Sequence, residues 1–247
     1  MYRILFCIQF FSIFFALPLS SATMHVLVAG DKQGTIKESV KKDIKNMRTA
    51  TRIISHQLDI KRNFNAIKIK KLSSKTILNW IAKAPVRKND VFMFYFSGHG
   101  SRSKFSSKWP LICFSKKKQL LDLQVVIKAI KKKKPRLSVI LCDACNKGSN
   151  GAKFLVYHPY DTIDIKQAEI DGLHRLFMKK RGSIVMCAAK PNSGAWGGMN
   201  GGRMTRGFLL QLVEETKRLY PSWKHLSSGV KKITAPRQNP LIQIKVS

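Results

Sequence analysis

Two reactive side chains, an imidazole and a thiol, each follow an apolar run of the chain. His99 lies between two glycines shortly after the run VFMFYF, and Cys145 lies in a polar turn after the run LSVILC. A cysteine thiolate is a strong nucleophile, and a nearby histidine can lower the pKa of the thiol or carry its proton. If the fold brings His99 and Cys145 together, the pair predicts covalent catalysis.

Polar and small residues accompany this pair. Apolar runs also end at Asp31, at Ser97 and at Asp143. Polar residues at the carboxyl ends of neighbouring parallel strands open onto one edge of the sheet, where sites form. Glycine lets a substrate carbonyl approach the backbone closely, so the N–H groups of Gly100 and Cys145 are candidates for stabilising an oxyanion.

The order of apolar runs predicts an α/β domain. The expected buried strands are residues 24–29, 91–96, 137–142 and 183–189, with weaker strands at 64–70 and 240–246 and a hairpin arm at 109–114. The expected helices are residues 35–58, 73–84, 122–133, 166–179 and 205–219. Alternating strands and helices indicate parallel crossovers and a sheet that is covered on both faces.

The two reactive segments also carry a family resemblance. FYFSGHGS (residues 94–101) and VILCDACNKG (residues 139–148) resemble the two signature blocks of the caspase and metacaspase superfamily of cysteine peptidases. Asp143, two positions before the cysteine, makes the chain more similar to metacaspases than to caspases. The resemblance implies a three-layer α/β/α sandwich with a mostly parallel central sheet of about six strands. The domain would span residues 23–247.

The resemblance also implies an activity. Cys145 would be the nucleophile and His99 the general acid and base of an endopeptidase that acts on peptides or proteins without a metal or other cofactor in the chemical step. An acidic S1 pocket would be formed by Asp31, Ser97 and Asp143, which implies cleavage after Arg or Lys. Lys147 departs from the metacaspase pattern and could tune that pocket. The acidic residues are too few to place a calcium site of the kind that some metacaspases use.

The N-terminus has the pattern of a secretory signal peptide. A basic start, Met1-Tyr2-Arg3, precedes an apolar run from Ile4 to about Leu19 and the small residues Ser20-Ser21-Ala22. This pattern predicts a signal peptide over residues 1–22, cleavage after Ala22 and a secreted or periplasmic protein. The alternative is an uncleaved membrane anchor, for which the apolar run is a little short.

The charge is extreme. The chain has 46 Lys and Arg residues against 13 Asp and Glu residues, a formal net charge of +33. Such a charge attracts anionic surfaces, so the lysine-rich faces are candidates for binding them. Aromatic residues are not interleaved with the lysine runs, which argues against a specific nucleic-acid site.

Two other functions stay open at this point. A catalytically silent domain of the same fold could bind an acidic partner through its basic surface. The pair Cys142 and Cys145 is formally a C-x-x-C sequence, which occurs in redox and metal sites. Cys142 closes an apolar strand, however, and should point to the opposite side of the sheet from Cys145.

Overall fold

The computed structural model describes residues 22–148, 163–235 and 237–247. The predicted signal peptide up to residue 21 lies outside these ranges, and so does most of the segment after Cys145, residues 146–161, for which the sequence predicts a loop. Within the ranges, no helix combines the length and the apolar composition needed to cross a bilayer.

Strands and helices alternate along the described residues, as the apolar runs predict. The strands are β1 (Thr23–Gly30), β2 (Lys61–Ala66), β3 (Val91–Ser97), β4 (Gly100–Ser101), β5 (Leu111–Phe114), β6 (Gln119–Asp122), β7 (Leu137–Asp143), β8 (Gly182–Cys187), β9 (Gly197–Gly198), β10 (Gly201–Gly202) and β11 (Leu241–Val246). The helices are α1 (Lys37–Gln57), α2 (Ser74–Lys83), α3 (Leu123–Lys132), α4 (Ile170–Leu173), α5 (Arg203–Thr216) and α6 (Trp223–Thr234).

A six-stranded sheet forms the centre of the domain, in the order β11-β8-β7-β3-β1-β2. All neighbouring pairs are parallel except β11, which joins β8 in the antiparallel direction at one edge. The continuous apolar runs of β3 and β7 are buried along their whole length, as strands covered on both faces must be. The predicted mostly parallel sheet is confirmed.

Alternate residues of each central strand enter two separate cores. Val91, Met93 and Tyr95 pack with apolar residues of α1, α4, α5 and α6. Phe92, Phe94 and Phe96 pack with apolar residues of α2 and α3 on the other face. Helices on both faces of one sheet make the predicted three-layer α/β/α sandwich, which is also confirmed.

The structure differs from the predicted elements most clearly in three places. β2 pairs its first residue, Lys61, with Thr23, three residues before the predicted start. The expected helix at 166–179 is a 3₁₀ turn followed by α4 and a π-helical turn that ends at Met178. Helix α6 was not predicted, although Ser222 caps it by accepting a hydrogen bond from the backbone N–H of His225.

Candidate active site

The strands β1, β3 and β7 end in register at one edge of the sheet. Ser97 pairs with Gly30 on one side and with Asp143 on the other, so the segments after β3 and β7 leave the sheet side by side. His99 and Cys145 both line a cavity at this edge, which we call the strand-end cavity and which holds about 440 Å³ of space open to solvent. The imidazole and the thiol therefore share one cavity.

The thiol of Cys145 is half-buried and contacts one hydrogen-bond donor. The backbone N–H of Ala195 donates to Sγ over 3.2 Å. Burial raises the pKa of the Cys145 thiol above 9.0, and this effect outweighs the opposing influence of the Ala195 N–H and of Lys147. At neutral pH the free protein therefore carries a thiol, and a nucleophilic reaction needs a group that accepts its proton.

His99 is positioned by its backbone. Gly98 adopts a φ of +154°, and a Cβ at that position would lie 2.9 Å from the Cβ of Asp31. The Gly98 N–H donates to the carbonyl oxygen of Asp143 over 3.2 Å, and the His99 carbonyl accepts from the N–H of Cys113 over 3.0 Å. The imidazole has no hydrogen-bond partner among the residues that the structure describes, and His99 lines the strand-end cavity.

Gly100 lies against the backbone of the cysteine turn. A Cβ at Gly100 would collide with the carbonyl oxygen of Cys145 and would lie 2.9 Å from the Cβ of Ala144. The absence of a side chain lets β4 approach the turn this closely. Any larger residue must displace Cys145 or β4.

Gly100→Ala is therefore expected to lower the free energy of unfolding in urea by about 1–3 kcal/mol, the usual cost of overpacking. Gly148→Ala is the matched control, because a Cβ at that exposed glycine meets nothing within 4 Å. Its effect should stay within about 0.5 kcal/mol. Equal stabilities of the two variants would contradict the close approach of β4.

Two buried carboxylates form the polar wall of the strand-end cavity. Asp43, on α1, accepts hydrogen bonds from the Ser97 hydroxyl over 2.7 Å and from the Gly202 N–H over 2.8 Å. Asp143 accepts from the N–H and the hydroxyl of Thr205 over 2.8 and 2.7 Å. Thr205 lies in the first turn of α5, where the free N–H groups favour a negative charge.

These carboxylates repel each other and lack the solvation of an exposed acid. Burial raises the pKa of Asp143 to about 6. Burial, and then the charge of Asp143, raises the pKa of Asp43 well above its ordinary value. All the hydrogen bonds described above come from neutral donors. Two such acids facing one cavity favour a cationic guest, because a cation would relieve both burial and repulsion.

The structure corrects the expected role of Asp31. Its carboxylate accepts hydrogen bonds from the backbone N–H and the hydroxyl of Ser115, and Asp31 is not among the residues that line the strand-end cavity. It instead fastens the end of β1 to the turn after β5. Ser97 and Asp143 do line the cavity, and so does Asp43, which was not predicted.

Sequence reasoning missed Asp43, although a signal was present. Asp43 lies three residues after Val40 and four before Met47, on the buried face of α1. Because burying a charge is costly, an acid on the apolar face of a helix indicates a polar partner or a site. Trp196 lines the same cavity.

The C-x-x-C interpretation is wrong. Cys142 is fully buried in the core beneath α2 and α3, together with Cys187, and burial raises its pKa well above 9.0. Cys145 opens into the strand-end cavity on the other side. Cys113, Cys142, Cys145 and Cys187 are all free thiols.

Comparisons with known proteins agree with this architecture. The family model of the caspase domain, a peptidase family, matches residues 33–246. Among 170 matching chains of solved structures, the crystal structure of protein GSU0716 from Geobacter sulfurreducens, a structural genomics target, has 15% sequence identity and a TM-score of 0.59. The match covers 90% of this chain and 92% of that one. No curated protein sequence matches the chain.

Proposed function

Because the chain belongs to the caspase-domain family of cysteine peptidases, we propose that it is an endopeptidase with a Cys145–His99 dyad that cleaves after Arg or Lys. One observation carries the proposal: the strand-end cavity is lined by the imidazole, the thiol and two buried carboxylates. The first two groups supply a nucleophile and a proton acceptor. The carboxylates supply a site for a positively charged side chain of the substrate.

The reaction follows from the protonation state of the thiol. Since burial keeps Cys145 protonated, His99 takes the thiol proton as Sγ attacks the scissile carbonyl. The backbone N–H groups of Gly100 and Cys145 would stabilise the resulting oxyanion. His99 then gives its proton to the leaving amine and later activates the water that hydrolyses the thioester.

The specificity follows from the wall of the cavity. Asp43 is held by Ser97 and by the backbone of Gly202, and Asp143 is held by Thr205. A guanidinium or ammonium group that enters between these acids gains two opposite charges, whereas an aspartate side chain would be repelled. Trp196 offers an apolar surface at the same cavity.

A panel of fluorogenic peptides that differ only in the residue before the scissile bond tests this proposal. At pH 7.5 we expect kcat/KM for Arg and Lys peptides to exceed that for the Asp peptide by roughly 100-fold or more, the usual worth of a charged hydrogen bond in a desolvated pocket. Preferred cleavage after Asp would overturn the assigned specificity. If the protein is folded and its Cys145 still reacts with iodoacetamide, but it cleaves none of the peptides, the domain is catalytically silent.

A further inference from the structure

The edge of the sheet opposite the strand-end cavity, where the parallel strands begin, is crowded with exposed cations. We call it the basal edge and define it by Lys88, Lys131, Lys134, Lys179, Arg181 and Lys245, all exposed. The first five precede β3, β7 or β8, and Lys245 reaches the same edge because β11 is antiparallel and pairs Lys245 with Ser183.

Acidic side chains do not neutralise this edge. Asp90 is buried, and its carboxylate accepts hydrogen bonds from the backbone N–H groups of Thr23 and Arg87 and contacts His25 over 3.1 Å. Asp59, just before β2, is the other acid near a strand start among the described residues. The basal edge therefore presents a strong positive field.

A pocket opens within the basal edge at the start of β7 and β8. It holds about 530 Å³ of space open to solvent and is lined by Lys131, Lys134 and Lys245 and by the hydroxyl-bearing residues Ser138 and Ser183. Lys131 lies at the end of α3 and Lys134 in the turn after it, whereas Lys245 lies on strand β11. No acidic residue lines this pocket.

Ser183 gives this pocket a second, independent feature. The residue is 7% exposed, and its hydroxyl has no hydrogen-bond partner among the described residues. A buried polar group without a partner costs about 1–3 kcal/mol. A ligand that brings acceptor oxygens would satisfy the hydroxyl and the three lysines together, and phosphate oxygens have that chemistry.

We propose that the basal edge docks on a membrane surface of anionic phospholipids, with one phosphodiester headgroup in this pocket. The chain enters β1 at Thr23, which pairs with Lys61 at the strand starts, and the apolar run that ends at about Leu19 precedes it directly in the sequence. The predicted signal peptide would therefore place this edge nearest the bilayer during export. No aromatic side chain lines the pocket to stack on a nucleobase.

The two ends of the sheet would then have separate tasks. β1 is eight residues long, so the strand-end cavity lies roughly 25 Å from the membrane-facing edge at the usual rise per residue. The cavity would stay open to substrate while the domain adheres. This inference does not depend on peptidase activity.

Vesicle co-sedimentation of the full chain at near-physiological ionic strength tests the proposal. One set of vesicles is phosphatidylcholine alone, which measures any contribution of the apolar run, and the other is equimolar phosphatidylcholine and phosphatidylglycerol. Lysines near an anionic surface contribute about 1 kcal/mol each. The triple variant Lys131→Gln, Lys134→Gln, Lys245→Gln should therefore lose affinity for the mixed vesicles by about 100-fold.

The matched control removes the same charge at the other end of the sheet. The triple variant Lys75→Gln, Lys116→Gln, Lys117→Gln, near the start of α2 and the turn after β5, should change the affinity by less than about threefold, because screening weakens distant charges. Equal losses in the two variants would overturn the proposal, since only net charge would then matter. Tighter binding of duplex DNA than of mixed vesicles through the basal lysines, or binding of soluble glycerol phosphate without vesicle binding, would also overturn it.

Ser183→Ala isolates the pocket from the rest of the edge. Because the hydroxyl has no intramolecular partner, the free energy of unfolding should stay the same or rise. Affinity for the mixed vesicles should fall about tenfold or more, the usual contribution of one hydrogen bond to a charged group. If the folded Ser183→Ala variant bound the mixed vesicles with unchanged affinity, the assignment of the headgroup to this pocket would be wrong.

Discussion

Replacing Cys145 by alanine is expected to lower kcat/KM for an Arg peptide by roughly 10⁴-fold or more, because the attacking atom is lost and no other group in the cavity can replace it. The fold should tolerate the change. Among the described residues the donor to Sγ is the Ala195 N–H at 3.2 Å, and a hydrogen bond of this kind contributes about 1 kcal/mol. Initial rates of fluorogenic cleavage and the urea midpoint, measured on the same preparation, check both statements.

Cys113→Ala is the control for this variant. Cys113 is also a free, half-buried thiol, but its Sγ contacts Ser101 on the β4–β5 hairpin, and the residue does not line the strand-end cavity. Its removal should leave kcat/KM within about threefold of the wild-type value, as for most changes away from a site. Loss of activity on replacing Cys113, with activity retained on replacing Cys145, would contradict the proposed nucleophile.

The raised pKa of Cys145 bears on how such a dyad works. A thiolate already paired with an imidazolium needs no proton transfer during attack, whereas a protonated thiol does. Burial is the first cause of the raised pKa. The imidazole of His99 has no hydrogen-bond partner among the described residues, and His99 lines the same cavity as Cys145. His99 is therefore expected to act as a general base in the first step.

The sheet, and the position of His99 and Cys145 at one edge of it, were predictable because their signals are local. β3 and β7 are continuous apolar runs, which is how strands covered on both faces look in a sequence. The helix starts at Ser73 and Asp122 follow from side chains that cap the first turn, and both caps are observed. Once parallel strands are accepted, their carboxyl ends must meet at one edge.

The acidic wall was only half predictable, because it depends on packing between distant segments. Asp31 ends an apolar strand as expected, but its side chain turns to Ser115, which arrives from the β4–β5–β6 hairpin. Asp43 enters the cavity from α1, and its partner Gly202 lies far along the chain. No sequence pattern within β1 or α1 predicts those contacts.

The missed and shortened helices have a similar cause. α6 buries Trp223, Leu226 and Val230 at helical spacing, but the histidine, serines and glycine between them weaken the local preference for a helix. In α4, Gly172 packs so closely on Thr216 of α5 that a Cβ would collide with the carbonyl oxygen of Thr216. Tertiary contacts of this kind decide where such short elements begin and end.

Asp43→Asn is expected to lower kcat/KM for Arg and Lys peptides by roughly 100-fold, because it removes a desolvated charge that would pair with the substrate cation. Asn keeps an oxygen that accepts from the Gly202 N–H, so the cavity should keep its shape. Asp59→Asn is the matched control. Asp59 is exposed and has a φ of 50°, which asparagine adopts readily, so both activity and stability should be unchanged.

Asp43→Asn should lower the activity but should not lower the free energy of unfolding at the pH of catalysis. An acid whose pKa is raised by folding contributes stability below its unfolded value, and that contribution is lost as pH rises through the folded value. For Asp143 the loss begins near pH 3.8 and is complete above about pH 6, and for Asp43 it also begins near pH 3.8 and extends well above it. At pH 8 the Asp43→Asn variant should therefore be at least as stable to urea as the wild type, and any advantage should shrink toward pH 4.

The same titration should appear in the kinetics of the wild type. As pH falls through about 6, Asp143 takes up a proton, the cavity loses negative charge, and kcat/KM for an Arg peptide should fall more steeply than for a peptide with an uncharged residue at that position. A variant that was less stable than the wild type at every pH and equally active on Arg peptides would make Asp43 a structural residue. Under the proposed function, binding of the substrate cation would offset the stability that these carboxylates cost at the pH of catalysis.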